Sequence, residues 1–247
     1  MQNTDARVGA TSFGFGRCAA ALALALATAA LPALAAAQAN DSQPGAVALA
    51  PRGQAQSPEV RSLARWALAS GDTGGLPFVI VDKPDSQVFV FEADGRLRGA
   101  SPALVGAARG DDNVPGIGQR PIASIRPQER ITPAGRFTAV MGRGPKGEDI
   151  LWVDYDSALA LHRVVTNVPQ ERRLERLKSK VAAERRITYG CINVPVAFYE
   201  GVVRPTFEAS RGIVYILPDS KPLKDVFASF GAWRKVSQAP GAAPDVH

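Results

Sequence analysis

Cysteine and histidine are the scarcest chemistry-bearing residues of this 247-residue chain, two of each. Cys18 lies in an apolar N-terminal stretch and Cys191 deep in the chain, so neither a disulfide framework nor a paired-cysteine metal motif is present. The glycines form no phosphate-cradling loop, and no segment repeats another. These absences exclude a fold stapled by disulfides or built around a nucleotide fingerprint. They leave an ordinary apolar core, and 46% hydrophobic residues over this length suffice for one large domain or two small ones.

What is present begins with an address. Arg7 and Arg17 precede "CAAALALALATAALPALAAAQA", an apolar stretch ending in small residues, which is the layout of a secretory signal peptide. Residues 1–39 are read as that peptide, with cleavage expected between Ala35 and Asn40. Pro32 and its small neighbours suit a cleaved segment better than an anchor, so no membrane span is expected afterwards. The expected location is the periplasm or cell envelope. Cys18 leaves with the peptide, and Cys191 becomes the sole thiol in an oxidising compartment, where structural cysteines come in pairs. The full chain carries a net charge of +6. That balance suits an anionic or mixed-charge partner, and export makes this the wall or an envelope surface, not nucleic acid.

Residues 40–56, "NDSQPGAVALAPRGQAQ", are small, polar and proline-bearing, the composition of a flexible leader. Residues 57–75 hold a predicted helix: Ser57 as N-cap, Pro58 at the first helical position, Glu59 in the first turn, and "GDTGG" as the stop. Residues 76–220 form the predicted main domain, mostly strands. "PFVIVD", "SQVFVFEADGRL", "ALVGAA", "TPAGRFTAVMGRG" and "ILWVDYDSALALHRV" are rich in Val, Ile and Phe, with a hairpin expected at "ADGR" and a surface loop over 109–127. Leu174, Leu177 and Val181 recur at helical spacing within "VPQERRLERLKSKVAAERR" and predict an amphipathic helix with a basic outer face. "PVAFYEGVVRPTFEAS" reads as helix broken near Pro205, and "GIVYILPD" as a last buried strand. Residues 221–247 form a C-terminal extension, packed around "DVFASFGAW" and loose beyond it.

Two residues carry the candidate chemistry. A thiol becomes a nucleophile when a base takes its proton, and imidazole suits that task near neutral pH. His247 is terminal, which leaves His162 as the histidine held in the fold and Cys191 as its candidate partner. Gly190 permits a strained turn beside the thiol, and Pro195 suits the start of a helix just after it. Amides at that turn would lower the thiol pKa and receive charge on a carbonyl under attack. A buried Cys acting as a small hydrophobe, at a plain strand-to-helix corner, uses the same residues.

"ITYGCINVP" resembles the active-site signature of the L,D-transpeptidase (YkuD-type) family, Ser/Thr-His-Gly-Cys followed by an apolar residue and Asn or Arg. Thr188, Gly190, Cys191, Ile192 and Asn193 match it. "LHR" around His162 resembles the family's strand-end histidine. "TPAGRF" resembles its Thr-Pro-x-Gly-x-Phe stretch, and "VIVDKPDSQVFVFEADGRL" its opening hairpin; together they span roughly 77–218 in the family's order. The resemblance implies a mainly β fold with flanking helices, a sandwich or barrel-like core in a single catalytic domain. It implies that Cys191 attacks the amide after the third residue of a peptidoglycan stem peptide and releases the terminal D-alanine. An amine or water then resolves the acyl-enzyme. His162 would be the base, the Gly190 and Cys191 amides an oxyanion site, and no metal or cofactor is called for.

Arg163, Arg186, Thr188, Tyr189 and Asn193 are the substrate-site candidates; the basic segment reads either as a lid that meets stem carboxylates through Arg172, Arg176 or Arg186, or as a plain surface insertion. Tyr189 departs from the family, which has histidine there; a phenol donates a hydrogen bond but, with a reference pKa of about 10, exchanges protons poorly at neutral pH. The segment from His162 to Thr188 is also longer than the family's. Three readings stand: a transferase, a hydrolase of wall peptides using the same nucleophile, and a wall-binding relative without turnover. Oligomeric state is not legible.

Overall fold

The structure, a computed structural model, describes residues 55–237. The expected signal peptide and most of the expected leader lie outside them. Ten strands follow one helix: β1 (Phe78–Asp82), β2 (Gln87–Phe91), β3 (Leu97–Pro102), β4 (Val105–Gly106), β5 (Gly135–Arg143), β6 (Asp149–Asp154), β7 (Leu159–Arg163), β8 (Arg186–Thr188), β9 (Ile192–Val194) and β10 (Gly212–Ile216). Eight form one sheet in the order β3-β2-β1-β10-β5-β6-β7-β9, and β4 pairs with β8. Leu104, just past β3, exchanges backbone hydrogen bonds with Asn193 of β9, so the two sheet edges meet and the sheet nearly closes on itself. The architecture is mainly β with a few helices.

The pattern of β1 explains its place. All five of its residues are buried, because both faces are covered. Val79 and Val81 join one core cluster with Val88, Leu151, Leu161, Ile192 and Val214. Phe78 and Ile80 face a second, aromatic cluster. The first helix, α1 (Pro58–Ala69), covers that second face. Ser57 Oγ accepts from Val60 N at 3.2 Å and donates to Asp82 Oδ2 at 2.7 Å, tying the helix start to the end of β1. Trp66 of α1 packs against Tyr215, Phe227 and Phe230.

Helix α2 (Arg173–Lys178) is the remnant of the long amphipathic helix expected over 168–186. Arg172 ahead of it is left-handed (φ 49°), Ser179 behind it is extended, and short 3-10 turns flank it at Pro169–Glu171 and Ala182–Arg185. Only Leu177 of the three spaced apolar residues is buried; Leu174 and Val181 are exposed, so no continuous apolar stripe existed to hold a longer helix against the sheet. After β9, α3 (Val196–Phe198), a π-turn (Tyr199–Val203) and α4 (Arg204–Phe207) run together, the irregular turn coming just ahead of Pro205. The chain closes through β10, α5 (Leu223–Val226) and α6 (Ala228–Ser237). Phe227 and Phe230, from "DVFASFGAW", are buried in the aromatic cluster. No helix among the described residues is long and apolar enough to cross a membrane.

Candidate active site

Parallel pairing of β7 with β9 sets His162 opposite Asn193. Cys191 lies two residues before Asn193, in the turn that leads into the first residue of β9. The turn between β6 and β7 completes the frame. "ILWVDYDSALALHRV" is two strands joined at Tyr155–Ala158, where Ala158 takes φ 53° and donates its N–H to Tyr155 O at 3.1 Å. Cys191 Sγ donates to Ala158 O at 3.5 Å.

The turn before Cys191 is shaped by Thr188 and Thr132. Thr188 Oγ1 donates to Cys191 O at 2.7 Å and accepts from Gly190 N at 3.2 Å. Thr132 Oγ1 donates to Gly190 O at 2.6 Å and accepts from Gly106 N at 2.8 Å. Gly190 takes φ 141°, and a Cβ there would stand 2.8 Å from Ile131 O, so both torsion and space require glycine. Of the two amides expected to receive an oxyanion, that of Gly190 is spent on Thr188, while that of Cys191 lies against its own sulfur. The helix start expected at Pro195 is found there, with α3 beginning at Val196, but the short strand β9 lies between it and the thiol. Burial pushes the Cys191 thiol up, opposed by the Ala160 backbone, the Arg173 cation and its own amide. The expected lowering by the turn amide is present, but burial outweighs it.

His162 makes two contacts. Its Nδ1 is 2.7 Å from Arg163 O and its Nε2 is 3.2 Å from Asn193 Nδ2. Asn193 Oδ1 accepts from Arg173 Nη1 at 2.9 Å, which turns the Asn193 amide nitrogen toward the ring. The network thus assigns the proton to Nδ1 and the lone pair to Nε2. Burial pushes the imidazole below its ordinary value, and the Arg173 and Arg163 cations act the same way against the Nδ1 bond and Glu148. The ring is a neutral base near neutral pH.

A cavity of about 250 Å³ opens beside the sulfur, lined by Ile117, Ile122, Ile125, Ile131, Tyr189 and Cys191 among others. Its outer wall is the stretch expected as a surface loop, folded here into 3-10 turns at Ile117–Gln119, Ile122–Ser124 and Pro127–Glu129. Glu129 holds those turns together: it accepts from Arg120 Nη1 at 2.9 Å and from Arg126 N at 2.8 Å. Tyr189 lies under the Arg130 guanidinium, 4.1 Å from its ring centroid.

The basic candidates fare differently. Arg163 is committed to Asp149 and Glu200 and covers the Tyr199 ring at 4.2 Å. Arg186 is nearly buried against Asp219 and donates to Lys83 O at 3.1 Å. Arg176 donates to the carbonyls of Glu171 and Glu184, and Arg172 pairs with Glu175. Thr132, Arg130, Ala158 and Arg173 had no sequence signal tying them to the thiol; they arrive by strand pairing and by loop folding. Among the described residues no three His, Cys, Asp or Glu side chains converge as a metal-ligand set.

The chain matches no protein-family model and no curated protein. Among solved structures, it is similar to the L,D-transpeptidase LdtMt1 in complex with imipenem, at 15% identity over 57% of this chain and 58% of that one, with a TM-score of 0.32. An L,D-transpeptidase from Mycobacterium tuberculosis H37Rv aligns at 15% identity over 57% of both chains, with a TM-score of 0.35. The helical cell shape determining protein Pgp2 from Campylobacter jejuni aligns at 17% identity over 68% of this chain and 60% of that one, with a TM-score of 0.39. The chain thus spans less than two thirds of the length of these structures.

Proposed function

We propose that this chain is an exported cysteine acyltransferase acting on peptidoglycan stem peptides. The observation that supports it most is the pairing of His162 and Asn193 across β7 and β9, with the thiol of Cys191 just ahead on the same edge and beside an apolar cavity. The signature around Cys191 supplies the substrate class. In this reading Cys191 Sγ attacks the carbonyl carbon of the L-to-D amide as its proton passes to His162 Nε2. The carbon–nitrogen bond breaks, the proton goes to the departing D-alanine amine, and a thioester remains. An acceptor amine attacks that thioester, forming the new amide and returning the hydrogen to sulfur. Protein attachment to the wall, 3-3 crosslinking and D-amino-acid exchange differ only in that amine, and water in its place gives the hydrolase.

For the first transfer, Nε2 exchanges its contact with Asn193 Nδ2 for the thiol, because both compete for one lone pair. That same contact favours a second reading, a wall-binding relative whose imidazole stays occupied.

Intact mass spectrometry of the protein with a disaccharide-tetrapeptide separates the two. The transferase gives a transient adduct on Cys191 and released D-alanine, both lost in Cys191→Ala. The ratio of crosslinked dimer to tripeptide then divides transfer from hydrolysis. A folded wild-type protein with neither adduct nor product, across varied acceptors, overturns the acyltransferase.

A further inference from the structure

The long segment between β7 and β8 has one residue that reaches the site. Arg173 opens α2, and its side chain is only 12% exposed, unlike Arg172 beside it at 71%. Its Nη1 donates to Asn193 Oδ1 at 2.9 Å and its Nε to Glu171 Oε2 at 2.5 Å. Asn193, itself 1% exposed, has no freedom to turn once Arg173 holds its oxygen, and its amide nitrogen then fixes the His162 ring. A guanidinium donates through a rigid fork and stays charged throughout the working range.

We propose that Arg173 is a positioning residue of this site: through Asn193 it orients the resting His162 ring until the thiol replaces the Asn193 contact at Nε2, and it keeps its cation within reach of both His162 and Cys191. The inference rests on the reading of Cys191 as nucleophile. It gives the segment between β7 and β8 a definite task, to deliver one buried charge to the edge of β9. A fixed cation favours the two forms that a thiol–imidazole pair needs, anionic sulfur and neutral ring. Cys191 and His162 are both influenced in that direction by Arg173. The other charges around the pair are balanced or weaker. Arg163 beside the ring is tied to Asp149 and Glu200, Glu148 opposes it, and Arg120 in the cavity wall is held by Glu129.

Two readouts on the full chain need no wall peptide. One is alkylation of Cys191 by iodoacetamide as a function of pH, resolved by peptide mass spectrometry so that Cys18 does not interfere. The other is NMR titration of the imidazoles, uncrowded because the chain has two histidines. Arg173→Met moves the Cys191 alkylation midpoint upward, slows alkylation several-fold near neutral pH, and raises the pH at which His162 titrates. Glu171→Gln removes the counter-charge at a partly exposed position and moves the alkylation midpoint downward. Arg173→Lys keeps the charge without the fork, so its alkylation profile stays near wild type while acyl transfer falls. If Arg173→Met fails to fold, Glu171→Gln decides alone. Alkylation profiles of the folded variants superimposable on wild type overturn the role of Arg173, whatever the protein does with a stem peptide. A missing acyl-enzyme, in turn, leaves shifted profiles standing.

Discussion

Protonating His162 costs the native protein more than the unfolded chain, since burial holds the folded imidazole below its ordinary value of 6.5. Its contribution to stability is therefore present above that ordinary value and is lost as pH falls through the depressed folded one. Calorimetry from about pH 7 to about pH 5 will show a falling Tm, and His162→Gln will flatten part of that slope. Tyr189 makes a separate prediction. Its ring carries the Arg130 guanidinium, a contact worth about 0.5–1 kcal/mol at a partly exposed site, so Tyr189→Ala will lose roughly that much stability while Tyr189→Phe will not. Tyr189→His will lower acyl transfer if the cavity wall depends on this stack, and will raise it if the phenol is a handicap. At this scale the sequence singled out Cys191 and His162 by scarcity and Gly190 by its neighbours. It did not reveal Arg173 or Thr132, because only the folded chain brings residues 20 and 58 positions away onto Asn193 and Gly190.

Elements position the thiol through one threonine. Thr132 precedes β5 and satisfies Gly106 N of β4 and Gly190 O just ahead of β9, bridging three segments at a residue 1% exposed. Thr132→Val will leave Gly106 N–H buried without a partner at a cost of about 1–3 kcal/mol, and Thr132→Ser will recover most of it, both by denaturant unfolding. Gly190→Ala will cost a similar amount, since φ 141° and Ile131 O both resist a Cβ, and it will slow Cys191 alkylation by displacing the turn. Strands were legible wherever Val, Ile and Phe alternate between covered faces, as in β1 and β2. The 109–127 stretch was legible only as a surface loop, because its glycines and prolines describe only the absence of regular structure. What organises it is Glu129 and its arginine partners, reached by side chain and not by periodicity.

At the scale of the whole molecule a buried ionic cluster ties the segment after β4 and Thr132 to the ends of the central strands β1 and β10. Lys83 Nζ, with no exposure, contacts Asp111 at 3.0 Å, Thr132 O at 2.8 Å and Asp219 at 3.6 Å. Asp111 also accepts from the backbone N–H groups of Asp219, Ser220 and Lys221, and these donors hold its carboxyl well below the usual range. Lys83→Met will leave Asp111 without its ion-pair partner, while Asp219 keeps Arg186, and cost about 3–5 kcal/mol, with little change in added salt because the cluster is shielded from solvent. The sheet order adds a consequence in time. β10 sits between β1 and β5, so within the sheet the first three strands pair on toward β7 through a segment made almost last, while their other edge meets β9 at the Leu104–Asn193 bridge. The residues that anchor Asp111 emerge later still. A chain growing from its N-terminus therefore has the thiol and every residue that lines the cavity before it has the strand that sits between β1 and β5.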